Sequence, residues 1–283
     1  MGGWAARSPR VFAAALVLAA VGATVGVGMI RRGHDEGARC GAGFVARGAR
    51  CLVEDDRRPC PPPLVSTALG CDAPETRVLV PDTTVVVGPS DWEAEGRVAA
   101  RTLHVPPFRI DAFEVTRGRW GNAVGGDPGR AASAMTRDEA ASFCERRDTG
   151  GRLPTEDEWI VAAVSAASPP PRYPWGDTGA VCRRAAWGLS MGPCATGAGG
   201  PDTVGAHPDG DSALGLHDLA GNVAEWVVEA SAIPRPTPAS VVGMAKGGSW
   251  LSSLASDLRV WARLEIPADA RDARVGLRCL YPP

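Results

Sequence analysis

Eight cysteines and four histidines are the groups with which this 283-residue chain would build metal, redox or nucleophilic chemistry. The cysteines are Cys40, Cys51, Cys60, Cys71, Cys144, Cys182, Cys194 and Cys279. An even count in an exported chain points to disulfides. Zinc is the rival use, but no CxxC occurs and the first four cysteines are separated by ten, eight and ten residues. That is not the ligand spacing of a zinc finger or ribbon. Cys182 and Cys194, twelve apart in a Gly-rich stretch, are placed to pair locally. His34, His104, His207 and His217 are scattered and form no cluster for a histidine-bound iron. Ser252 has no base close by in sequence, His217 being the nearest histidine, so a Ser–His nucleophile has little support.

Elements that must position these groups can be read from composition and periodicity. Gly (35) and Pro (25) make up about a fifth of the chain, which favours packed loops over a helical bundle. Thirty basic residues face 32 acids, a balance that excludes a nucleic-acid-binding surface. Lys246 is the only lysine. Residues 1–10 form a short N-terminal segment, and Val11 to Ile30 is an uncharged apolar run followed by Arg31 and Arg32. Its 20 residues match the bilayer's hydrocarbon thickness, so it reads as a transmembrane signal anchor, with a cleaved signal peptide as the alternative. Either would export the remainder of the chain. Residues 31–76 read as a Cys/Pro-rich linker and 77–283 as the folded domain. Val78 to Val87 reads as a strand pair or bent strand, and Phe108 to Val115 alternates as a strand. Thr136 with Glu139, and Thr155 with Glu158, are capping boxes that open two helices. After Ser165 little regular structure is expected until closing strands at Gly247 to Leu251, Leu258 to Leu264 and Arg274 to Leu280.

Six segments in order resemble the sulfatase-modifying factor family, whose members include formylglycine-generating enzymes. They are FRIDAFEVTRGRW (108–120), GGRLPTEDEWIVAA (150–163), YPWGD (173–177), TVGAHPDGDSALGLHDLAGNVAEWV (203–227), KGGSW (246–250) and VGLRC (275–279). The resemblance implies an α+β, C-type-lectin-like fold, loop-rich with two capped helices and short antiparallel strands. It also implies a Cys144–Cys279 disulfide. A second family disulfide would fall on Ala163 and Ala262 and is therefore missing as a unit.

The family's oxidising chemistry needs two cysteines just after the GGS motif, because soft thiolates hold Cu(I) and exchange with a substrate thiol. Ser252 and Asp257 stand at those positions, so the resemblance implies no copper. Related iron-dependent enzymes supply their histidines from a further domain, and no iron is expected here. A structural calcium ion is implied at the side chains of Asp218 and Glu225 and the carbonyls of Gly221 and Val223, since calcium takes hard oxygens. The family's other calcium site has Ala185 where an Asn is required. The cleft would be lined by Ser249, Trp250, Ser252, Asp257, Arg259, Trp261 and Arg263. The expected protein is an exported, membrane-anchored module of the periplasm or envelope that binds a peptide, protein or small molecule without catalysis. The alternatives are a cysteine-independent enzyme acting on a peptide or amino-acid-derived substrate, and a purely structural component with a filled cleft.

Overall fold

A computed structural model describes residues 40, 44–47, 50–53, 59–89, 95, 96, 98–121, 126–167, 169–229 and 242–283. The apolar segment 11–30 lies outside the described residues. Among those described, no helix is long and apolar enough to cross a membrane. The chain divides into two units, Met1–Asp56 and Arg57–Pro283. In the first, β1 (Phe44–Arg47) and β2 (Arg50–Val53) pair as an antiparallel hairpin.

The second unit begins earlier than the linker reading placed it. A hairpin of β3 (Val65–Thr67) and β4 (Gly70–Asp72) is stapled by Cys60–Cys71. Leu64 and Ala73 pack in one apolar cluster with Phe113, Val204 and Val223. Two buried apolar side chains tie residues 59–76 to this unit, a signal too sparse to show as periodicity.

The Val78–Val87 stretch does split at Pro81 and Asp82, but its halves do not pair with each other. The first, β5 (Arg77–Val80), pairs with β8 (Phe108–Asp111), and the second, β6 (Thr83–Val87), with β7 (Arg101–Val105). Beyond β8, a one-turn helix α1 (Arg117–Trp120) is capped by Thr116. Helix α2 (Arg137–Arg147) and helix α3 (Glu156–Val164) each carry both halves of the expected capping box. Thr155 accepts from the Glu158 N–H, and Glu158 accepts in return from the Thr155 N–H at 2.8 Å. That carboxylate also takes a forked pair of bonds from Arg152 at 2.6 and 2.7 Å, which anchors the start of α3 to the segment before it.

The long C-terminal part is less irregular than expected. A four-stranded sheet runs in the order β11 (Leu264–Pro267), β10 (Val242–Lys246), β9 (Ala224–Val227), β12 (Val275–Gly276). The strand therefore precedes the GGSW motif, and Gly247 to Leu251 form a turn. Leu258 closes a short 3-10 turn (Ala255–Leu258) instead of opening a strand. The last strand, β13 (Leu280–Tyr281), returns to β8. All four residues of β9 are buried, so no alternation marks it. Cys144 on α2 is bonded to Cys279, and Cys182 to Cys194. Among the described residues no cysteine is free. Disulfides of this kind belong to chains that mature in an oxidising environment.

Candidate functional site

The turn after β10 needs two glycines in succession. Gly247 and Gly248 have φ of 96° and 71°, and a Cβ on either would stand 2.7 Å from a backbone oxygen, of Leu219 and Asp257 respectively. Only glycine meets both demands at once. The turn delivers Ser249 and Ser252 to a cavity of about 280 Å³, whose walls also include Ser253, Asp257, Arg263 and Arg274. The two positions where the thiols would stand, Ser252 and Asp257, are thus brought into one cavity. Ser252 Oγ accepts from the Ser249 N–H at 3.0 Å, closing the turn, and Asp257 rides on the 3-10 turn. The cavity's arginines are held by acids: Arg263 forks onto Glu156 at 2.6 and 2.8 Å, and Arg274 onto Asp272 at 2.6 Å.

The remaining cleft residues do not all gather here. Trp250 is buried in a cluster with Tyr173, Trp187 and Leu258, and its Nε1 donates to Ala273 O. Arg259 is also buried, and Trp261 turns to a different cavity shared with Arg263. Packing demand explains these differences, since large indoles in a loop-rich fold supply the core that regular elements do not.

Glu156 is the hub that sequence reading missed. Burial alone would raise its pKa, but Lys246 and Arg263 outweigh that and hold it below the usual carboxylate range. Lys246 is itself fully buried, with Nζ 3.4 Å from Glu156 and 5.6 Å from the Trp159 ring centre. Burial first, then the neighbouring guanidiniums, bring its pKa down to about 8 against the pull of Glu156. The unfolded chain keeps that proton to higher pH, so stability should rise between pH 8 and 10, by about 2 kcal/mol for this group alone. Urea unfolding across that window tests it, and Lys246→Met should lose the upward slope. The available signal was a lone lysine abutting GGSW.

The 217–226 loop forms a second buried network. Asp218 (φ 57°) accepts from the Gly205 N–H at 2.5 Å. Glu225, on β9, accepts from Trp159 Nε1 at 2.8 Å through one oxygen and from Arg278 at 2.7 and 2.9 Å through the other. Arg278 also donates to the carbonyls of Asp111 and His217 at 2.9 and 2.6 Å. Val223 donates its N–H to Glu114, and Asn222 bridges Glu114 and the Asp202 N–H. Burial, then the charges of Asp218 and Glu225, push Glu114 well above the ordinary carboxylate range. Asp218 is raised by burial as well.

The carboxylates of Asp218 and Glu225, two of the expected calcium ligands, both belong to this network. Glu225 is shared by an arginine and an indole, and the Arg278 guanidinium also serves the carbonyls of Asp111 and His217. Glu114 and Arg278 escaped the sequence reading because each sits in an apolar stretch that reads simply as strand.

Residues 67–282 match the family of the Sulfatase-modifying factor enzyme 1-like domain. The chain belongs to this family. Over 153 residues it is 31% identical to the Formylglycine-generating enzyme of Thermomonospora curvata, covering 47% of this chain and 50% of that one. Over 148 residues it is also 31% identical to the Inactive C-alpha-formylglycine-generating enzyme 2 of Mus musculus, covering 50% and 46%. The chain spans half or less of the length of these curated relatives. Among solved structures, PvdO from Pseudomonas aeruginosa superposes with a TM-score of 0.59 at 18% identity, covering 79% of this chain and 99% of that one. The fold of this sulfatase-modifying factor domain is accordingly C-type-lectin-like.

Proposed function

We propose that this family member is exported, held at the membrane by residues 11–30, and binds a peptide, protein or small-molecule ligand in the Ser252–Asp257 cavity without oxidising it. One observation carries the reading. The cavity that would hold the thiol pair presents a hydroxyl and a carboxylate, and six of the eight cysteines are tied in Cys60–Cys71, Cys144–Cys279 and Cys182–Cys194. Oxygen donors do not replace thiolates for a monovalent copper ion, and neither group forms a mixed disulfide with a substrate. The cavity's volume of about 280 Å³ also weighs against a cleft filled by its own side chains. The likeness to a relative named as inactive agrees with this reading.

Incubating the full chain with a cysteine-containing sulfatase-type peptide, oxygen and copper should give no formylglycine by mass spectrometry. Its appearance would overturn the proposal. For the anchor, the full chain should stay with membranes after a carbonate wash, and deletion of residues 11–30 should release it.

A further inference from the structure

A second cavity, of about 480 Å³, lies on the other side of Arg263. Its walls are apolar over Val87, Val98, Ile160, Val164, Val260 and Trp261, and charged at Arg101, Glu156 and Arg263. The size is that of a small-molecule site, and so is the pattern of apolar walls with a few convergent polar groups.

The charges at one end do not cancel. Arg101 pairs with Asp157 at 2.6 Å, while Arg263 and Lys246 share Glu156 at 2.6 and 3.4 Å. Among the described residues, these three cations therefore answer to two carboxylates. Arg101 and Arg263 keep 32% and 39% of their side-chain surface exposed, so the positive end is reachable from solvent.

We infer that this cavity binds an apolar carboxylic acid, its hydrocarbon part against the valines, Ile160 and Trp261 and its carboxylate on Arg101 and Arg263. A guanidinium suits a carboxylate because its planar fork offers two parallel donors. An amine would meet two like charges in the same place, and an alcohol would leave the charge excess uncancelled. This inference goes beyond the reading of the Ser252–Asp257 cavity and stands without it.

Isothermal titration of the full chain in detergent, with 4-phenylbutyrate as probe and a detergent blank, tests the assignment. Saturable binding is expected, at least tenfold tighter than for 4-phenylbutylamine or 4-phenylbutanol. Arg101→Gln should weaken it about tenfold, and Val98→Trp, which fills the cavity, should abolish it. Arg183→Gln, which removes a guanidinium lining neither cavity, should change nothing. Circular dichroism confirms that each variant is folded. The inference is overturned by an absence of saturable heat, by equal binding of the amine or alcohol, or by unchanged affinity in folded Arg101→Gln and Val98→Trp.

Discussion

Arg278→Met should destabilise the domain by about 3–5 kcal/mol, a large share of the stability such a domain commands. Arg278 is completely buried and donates to Glu225, Asp111 O and His217 O. Removing it leaves Glu225 with only the Trp159 indole, beside Glu114 and Asp218, whose carboxyls already resist ionisation. The cost comes from stranding a buried charge more than from the bond lost. Adding Glu225→Gln to Arg278→Met should recover much of the loss. Arg278→Lys should recover little, because a point charge cannot reach several acceptors laid out for a planar fork. Urea midpoints of the four proteins decide it, and a loss below about 1 kcal/mol in Arg278→Met would show that the network is not what holds this region.

Replacing both Cys144 and Cys279 by alanine should cost about 3–5 kcal/mol. The bridge joins residues 135 apart, fastening α2 to the end of the chain, and both cysteines are inaccessible. In the chain-entropy description a closed loop of that length restricts the unfolded state by about 5 kcal/mol, against about 3 for the twelve-residue separation of Cys182 and Cys194. The order matters as much as the size: losing Cys182–Cys194 should cost less than losing Cys144–Cys279. Denaturation of the two double mutants side by side measures both, and an equal cost would argue that strain or local packing, not loop closure, sets the contribution.

How much was legible in the sequence differs by kind of feature. The capping boxes at Thr136 and Thr155 were readable because a cap is a contact between residues three apart. The family frame was readable because several ordered motifs coincide in one chain. The substitutions Ser252 and Asp257 were readable because GGSW sets the count. Less legible were the strands. β9 is buried on both faces and so lacks alternation, and β10 lies just ahead of the motif that drew attention. The halves of the 78–87 stretch take partners 14 or more residues away, and nothing local specifies those partners.

Chemical identity was settled by the order of residues: what donor atoms the turn after Lys246 can offer, and that sulfur is not among them. Which charges neutralise one another was settled by folding. Glu225, which the sequence offers as an ion ligand, also takes an ion pair from Arg278, 53 residues away. Glu156, in the first turn of a capped helix, is buried because Lys246 and Arg263 close on it. Local rules act over a few residues, whereas burial of a charge is decided by whatever the rest of the chain brings within a few ångströms.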